Sequence, residues 1–358
     1  DLETCTFRDG LPEDYITYTT GNNYYDFDDE DDRLSEVRTF LTQVLPKDNI
    51  REYIMTVFGS CVTGKTYEKF FIFTGKGGNG KSKLVELLEN SLGNYSCTLP
   101  VTLMTQKRAR AEAADPVLAS LPGKRFGCMQ EPDKDEEIHV GFMKQLTGGD
   151  KLTSRGLYEK KLVEFVPQFK MILACNSLPP IKATDHGTWR RIRAVPFLSL
   201  FTHNPIQDNK KKPYQYLIDP TIEEKFKTWA PVFLAMLTEI AFKTQGKVND
   251  CSIVTEAGRK YKNDSDIVAR FIEEKIVENK EGRINKTQLN QEFNIWYEDN
   301  NNSHDKRKKP TAKKIADAIN KVFGEPQGNY WNGIELVQDC QNMDFQNELV
   351  STVTADEL

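Results

Sequence analysis

The sequence has no excess of positive charge, no paired-cysteine motif, no long apolar run and no internal repeat, and each absence narrows what it can be. Lys and Arg number 48 against 53 Asp and Glu across 358 residues, a net charge of −5. No global basic field draws such a chain to nucleic acid, so any nucleic-acid site has to be a local patch or channel. Much of the acidic excess lies in "DFDDEDD" (Asp26–Asp32) and in the tail beyond Asp339, which read as solvated, partly flexible segments. Seven cysteines stand far apart, odd in number and without Cys-x-x-Cys. That speaks for a reducing compartment and against a disulfide framework or zinc module. No run approaches the ~20 apolar residues that cross a bilayer, and no signal-peptide pattern opens the chain, so no membrane is expected. With no methionine before Asp1, the sequence reads as a piece of something longer.

What is present is enough chain for about two or three packed units. Leu34, Val37, Phe40, Leu41, Val44 and Leu45 recur at helical spacing until Pro46, and Ile54, Val57, Phe58 and Cys61 repeat the pattern, so residues 1–66 read as a small helical unit. From Tyr67 the texture changes to short apolar runs alternating with helices, the α/β signature: "FFIFTG", "KRFGCMQE", "KMILACN" and "IRAVPF". These are apolar on consecutive positions, as strands buried on both faces should be. Ile222–Phe242 reads as a helix that closes a core of residues 67–245. Residues 246–358 show helical stretches at Asp266–Glu278, Lys286–Asp299 and Thr311–Phe323, then strand-like "NYWNGIELV". Three helices followed by a β-ribbon is the order of a winged helix.

Between the first run and its helix stands "GKGGNGKS", Gly75-Lys76-Gly77-Gly78-Asn79-Gly80-Lys81-Ser82, which fits G-x-x-x-x-G-K-[ST]. Its glycines let backbone N–H groups converge on phosphate oxygens. Lys81 suits the β- and γ-phosphates, and the Ser82 hydroxyl suits Mg²⁺. A helix N-terminus there adds its dipole. A nucleoside triphosphate is the expected guest.

Hydrolysis needs a carboxylate near the γ-phosphate, and Glu131 directly follows the run Phe126–Met129, with Gln130 where a second acid often stands. An ordinary strand-end acid would look the same. Asn176 ends a third run and can hold the attacking water, or can simply begin the turn before Pro179. "DHGTWRRIRAVPF" sets Arg190, Arg191 and Arg193 at the start of a fourth, where an arginine can complete a neighbour's site or merely edge a strand. "KLTSRGLYEKKLVEFV" reads as a β-hairpin carrying Tyr158, Lys160 and Lys161 at its tip. An aromatic with lysines suits single-stranded nucleic acid, though lysines also protect sheet edges. Two further basic clusters are Lys107–Arg110 and Lys306–Lys314.

Taken together and in order, "GKGGNGKS", "QEP", "KQLTGGDKLTSR", "FKMILACNSLPPI" and "GTWRRIRAVPF" resemble the superfamily 3 helicases, specifically the poxvirus-type primase–helicases of nucleocytoplasmic large DNA viruses. The segments on either side are similar too, so the resemblance spans nearly the whole chain. It implies an AAA+ P-loop NTPase core with a parallel sheet, preceded by a helical collar (residues 1–66) and followed by a mainly helical, winged-helix-like domain with an acidic tail. It implies an ATP- and Mg²⁺-dependent DNA helicase that works as a homo-hexamer on single-stranded or forked DNA, with a primase domain upstream in the full chain, in viral replication in the host cytoplasm. Carried over, Gly75–Ser82 corresponds to the Walker A loop, Glu131 to the Walker B acid and Asn176 to the sensor asparagine. Arg191, with Arg190 as the alternative, corresponds to the arginine finger. Lys160 and Lys161 fall on the channel hairpin, with Arg155 at its base. Gln130 departs from the usual second acid and loosens the Mg²⁺ assignment. A P-loop kinase of a small acceptor, or an ATP-gated DNA-loading factor without unwinding, are the competing readings.

Overall fold

The four apolar runs become neighbouring strands. The computed structural model describes residues 1–106, 114–133, 136–183, 185–206, 210, 213–300 and 309–337. In chain order its elements are α1 (Asp32–Val44), α2 (Asp48–Thr63), β1 (Phe70–Thr74), α3 (Lys81–Leu92), β2 (Ser96–Thr98), α4 (Thr102–Thr105), α5 (Pro116–Ala119), β3 (Phe126–Gln130), α6 (Val140–Thr147), β4 (Leu152–Ser154), β5 (Val163–Phe165), β6 (Lys170–Cys175), α7 (His186–Trp189), β7 (Ile192–Pro196), β8 (Leu200–Thr202), β9 (Gln215–Leu217), α8 (Ile222–Thr244) and α9 (Ser252–Ser265). A second group follows: α10 (Ile267–Lys275), β10 (Ile276–Asn285), α11 (Lys286–Asn300), α12 (Ala312–Phe323) and β11 (Tyr330–Leu336). By packing, the chain divides into two compact units, Asp1–Lys262 and Asn263–Leu358.

The first unit is built on a five-stranded sheet of order β2-β3-β6-β1-β7, with every neighbouring pair parallel. The α/β expectation therefore holds. Side chains of a strand alternate between faces, and β1 shows the result. Phe71 and Phe73 join the core formed with α1, α2, α3 and α8, while Phe70 and Ile72 join a second core with α6 and the other face of β6. Both faces are covered, so a run of consecutive apolar residues is what the strand requires. The front helices share the first of these cores. The acidic stretch before α1 is put to use at its end: the Asp31 carboxylate accepts from the Arg33 N–H as the helix cap, and Asp32 opens the first turn, where the helix dipole favours negative charge.

In the second unit, two corrections to the sequence expectation appear. The helix expected over Asp266–Glu278 stops at Lys275, and the chain continues as β10, which pairs antiparallel with β11 through Ile276↔Leu336 and Ile284↔Trp331. The order is thus helix, strand, helix, helix, strand rather than three helices and then a ribbon. Most of β10 is charged or polar, so nothing in its own sequence marks a strand; the pairing with β11 and the burial of its ends at Ile276 and Ile284 decide it. Phe271, Phe293, Trp296 and Trp331 fill this unit's core. Among the described residues no helix is long and apolar enough to cross a membrane.

One of the buried cations of the first unit stands in the sheet itself. Lys170, at the start of β6, is almost fully buried and donates to the carbonyls of Ser60 (3.2 Å) and Lys65 (2.5 Å). Burial holds its pKa below the ordinary 10.5. Unfolded, the ammonium binds its proton more tightly, so between the folded value and 10.5 the stability owed to this group rises with pH. Urea unfolding of wild type and Lys170→Met at neutral and alkaline pH should show the wild type gaining on the variant as pH rises. Parallel curves would mean that folding does not sense this charge.

Candidate functional site

The glycine-rich loop leaves the C-terminal end of β1 and feeds α3. Gly80 sits at φ +84°, in the left-handed region, and a Cβ there would lie 2.8 Å from Val44 Cγ2 at the end of α1. Glycine is required on both counts. The loop is braced from behind by β8, where the Phe201 N–H donates to the Gly78 carbonyl at 2.7 Å. The Ser199 hydroxyl in turn donates to the Gln43 carbonyl at 2.5 Å. Lys81 is only 6% exposed, and its ammonium donates to the Gly75 carbonyl (2.7 Å) and to Asn79 Oδ1 (3.1 Å). Burial pushes its pKa down, with Cys175 and Glu131 pulling the other way. A poorly hydrated ammonium held this way favours an arriving anion. Asn79 Nδ2 is buried and has no hydrogen-bond partner among the described residues, an open donor inside the loop. Ser82 is exposed on the first turn of α3, where the N–H groups face outward.

Across the loop stand the ends of β3 and β6. Glu131 takes φ +43°, uncommon for a residue with a side chain, and its N–H still donates to the Ala174 carbonyl at 2.9 Å. Asn176 Nδ2 donates to Glu131 Oε1 at 2.9 Å. Gly77 to Ser82, Gln130, Glu131 and Asn176 line one cleft of about 280 Å³. The sheet order explains the meeting: β6 lies between β1 and β3, so the three strand ends open on the same edge. Non-glycine residues held in sparse backbone regions cluster at functional sites, and Glu131 is such a residue facing a phosphate-type loop. Among the described residues no group of three or more His, Cys, Asp or Glu could enclose a metal. A divalent cation here would rest on the Ser82 hydroxyl, Glu131 and the oxygens of a ligand. Gln130 lines the cleft as a neutral amide.

Arg190 and Arg191 do not join this cleft. They precede β7, whose Ile192 pairs with Phe70, so they stand at the opposite edge of the sheet from the loop that follows Thr74. Four strand steps separate the two edges, roughly 13 Å. Both guanidiniums bind one carboxylate, Glu68: Arg190 through Nη1 and Arg191 through Nη2 at 3.0 Å. Arg191 also donates to the Gly187 carbonyl at 2.7 Å and is 11% exposed, against 38% for Arg190. Arg193 is buried on Asp250. The hairpin forms with strands of three residues each, Leu152–Ser154 antiparallel to Val163–Phe165. Arg155 follows β4 directly, and Tyr158 (96% exposed), Lys160 and Lys161 stand out at the tip. The basic cluster Lys107–Arg110 lies outside the described residues, as do Lys306–Lys308 of the second cluster and the acidic tail from residue 338.

The residues that brace the loop, Val44, Ser199 and Phe201, carry no local signal; Val44 looks like any helix core position. Gly80→Ala should cost about 2 kcal/mol from the left-handed backbone and the Val44 contact together. Adding Val44→Ala should recover the steric share, so a double-mutant cycle in urea would return a non-zero coupling, and strict additivity would refute the contact.

Known proteins similar to this chain are found by sequence and by structure. A family described only as "Family of unknown function (DUF5906)" matches residues 73–191, the stretch from the loop strand to Arg191. "Putative helicase L207/L206" of Acanthamoeba polyphaga mimivirus is 35% identical over 96% of this chain and 37% of its own length. "Putative helicase 121R" of Invertebrate iridescent virus 3 is 31% identical over 83% of this chain and 34% of its own length. "Putative primase C962R" of African swine fever virus (isolate Warthog/Namibia/Wart80/1980) is 28% identical over 78% of this chain and 30% of its own length. The chain thus spans about a third of the length of these relatives. A solved structure, "The A form apo structure of NrS-1 C terminal region-CTR", covers 71% of this chain and 57% of its own at 16% identity, with a TM-score of 0.47. By sequence, the homologues of this chain are proteins of large DNA viruses that are named as helicases and primases.

Proposed function

We propose that the chain is the motor part of a viral replication helicase: an AAA+ type ATPase that works as a hexameric ring on single-stranded DNA in the host cytoplasm, with a primase domain upstream. The observation that carries the reading is the Glu131–Asn176 pair facing Lys81 across the glycine-rich loop. A loop that binds phosphate serves many proteins. A carboxylate held by an amide at the position of a γ-phosphate adds hydrolysis.

In this reading the amides from Gly77 to Ser82 hold the β- and γ-phosphates, and Lys81 exchanges its bonds to Gly75 and Asn79 for phosphate oxygens. Glu131 orients the attacking water and accepts its proton, while Asn176 fixes the carboxylate and the water in line. Ser82 and Glu131 would hold Mg²⁺, which would supply positive charge to offset that of the phosphates. Arg190 and Arg191, too far from their own loop, serve the site of an adjacent subunit. Arg190 is the freer of the two, since Arg191 is also tied to the Gly187 carbonyl. The exposed Tyr158 stacks a base while Lys160 and Lys161 grip phosphates, and Arg155 supports the hairpin base. Six copies of so small a patch make a basic channel inside an acidic protein.

Lys81→Ala should abolish ATPase activity, and Arg190→Ala should do so in assembled protein. Mixed at random in equal amounts, about one interface in four regains both halves, so activity should return on mixing. If neither Arg190→Ala nor Arg191→Ala complements Lys81→Ala, although all assemble, the site is complete within one subunit and the kinase reading returns. Replacing Lys160 and Lys161 by alanine should weaken single-stranded DNA binding and flatten its dependence on salt. Tyr158→Ala should weaken binding by about 1–3 kcal/mol with the salt slope unchanged. Unchanged binding in both variants would remove the hairpin from the DNA path.

A further inference from the structure

Glu68 carries two guanidiniums where one would neutralise it. The register of the sheet brings them together: Phe70 of β1 pairs with Ile192 of β7, so Glu68 and Arg190, each two residues ahead of its strand, come side by side. Each oxygen of the carboxylate takes one arginine, Oε2 that of Arg190 and Oε1 that of Arg191. Lys69 and Arg193 gather there as well, since both donate to the Arg190 carbonyl. Four cations, Lys69, Arg190, Arg191 and Arg193, thus stand with two carboxylates, Glu68 and Asp250, which leaves two positive charges over. Burial, and after it the charge of Arg193, holds the Lys69 ammonium below its ordinary 10.5.

The two arginines on Glu68 are held differently. Arg190 has a fixed backbone and a free side chain. Its N–H donates to the His186 carbonyl at 3.0 Å, and its own carbonyl accepts from Lys69 Nζ at 2.9 Å and from Arg193 Nη1 at 3.0 Å. Its guanidinium meets Glu68 alone among the described residues and stands partly in solvent. Arg191 is pinned at two points, Glu68 and the Gly187 carbonyl, and Gly148 at the end of α6 packs close, where a Cβ would lie 3.9 Å from Arg191 Nη2. To leave, Arg190 gives up one exposed ion pair, and such pairs are weak. Glu68 would still have Arg191, so its charge would not be left unpaired.

We propose that Glu68 is a holding carboxylate: it keeps Arg190 at the free edge and releases it to the terminal phosphate of a nucleotide bound by the adjacent subunit, while Arg191 stays behind as the counter-charge. Glu68 and Arg191 are then positioning residues, and the strength of the Glu68–Arg190 pair sets how readily the neighbour's triphosphate is gripped. The proposal rests on the reading that this edge serves a neighbouring site, and adds to it a residue that opposes the grip.

The test is calorimetric binding of ADP and of a non-hydrolysable ATP analogue, each with Mg²⁺, to assembled wild type, Glu68→Gln, Arg190→Ala and the double variant. Arg190 meets only the terminal phosphate, so ADP affinity should be equal in all four, which also shows that each is folded. Glu68→Gln keeps an oxygen to orient the arginines and removes the charge that competes with phosphate. It should therefore tighten the analogue by about threefold, within the range of one exposed ion pair. Arg190→Ala should weaken the analogue, and adding Glu68→Gln should restore nothing. Arg191→Met should also weaken it, because Arg190 would now leave an unpaired carboxylate behind. Adding Glu68→Gln should cancel that loss, as it would not if Arg191 itself touched phosphate. A Glu68→Gln variant that shifts both ligands together, shifts neither, or keeps its gain without Arg190 overturns the holding role. If Arg190→Ala leaves the analogue-to-ADP ratio unmoved, or the chain binds both ligands without assembling, the reading of this edge falls and the proposal with it. A lowered ratio in Arg190→Ala with none of the Glu68→Gln effect keeps that reading and ends the holding role alone.

Discussion

The geometry of the first unit turns on one close approach, the backbone of Gly80 against Val44. The left-handed turn there lets the loop double back before α3 begins, and it can do so only with no side chain between the loop and the end of α1. The bond from the Phe201 N–H to the Gly78 carbonyl closes the other side. The loop is therefore gripped between the front helix and β8, so the lysine and the helix N-terminus that follow it have fixed places. Preorganised donors act without reorganising when charge arrives, which is what an anion site requires.

The sheet performs a second kind of positioning. Because β6 lies between β1 and β3, the loop, the glutamate and the asparagine emerge on one edge, although they are distant in sequence. The same parallel pairing sends Arg190 and Arg191 to the other edge, where Glu68 takes both guanidiniums. One carboxylate between two cations leaves a net positive charge at that edge. The exposed Arg190–Glu68 pair contributes little to stability, whereas Arg191, 11% exposed and also bonded to the Gly187 carbonyl, is the more firmly tied of the two.

Much of this was legible in the sequence, for physical reasons that also mark where legibility ends. A strand covered on both faces has to be apolar at every position, so "FFIFT" and "MILAC" announce themselves, and a phosphate loop needs its glycines at fixed places. The places of Glu131 and Asn176 were readable because each directly follows such a run. β10 was not, since a ribbon with one solvated face and a bulge between Glu278 and Arg283 carries mostly polar residues, and only its partner β11 defines it. Nor was the role of α1. Phe40, Gln43 and Val44 sit on an ordinary amphipathic pattern, and nothing local says that the end of this helix meets a loop so much later in the chain. Contacts between distant segments are set by the fold as a whole, and single-sequence patterns register only what each segment needs for itself.

The separation of the two edges has a consequence for assembly. A two-fold pairing sets residue i of one copy against residue j of the other and j against i, so it could join arginines to phosphate loop only if both edges open on one shared face. Joining one edge to the opposite edge of the next molecule is a heterologous contact, and it leaves a free arginine edge and a free loop edge at the ends of every open chain of subunits. Such contacts either rotate until they close on themselves or continue as a filament. The pitch between neighbours, rather than the strength of any one contact, decides between the two outcomes.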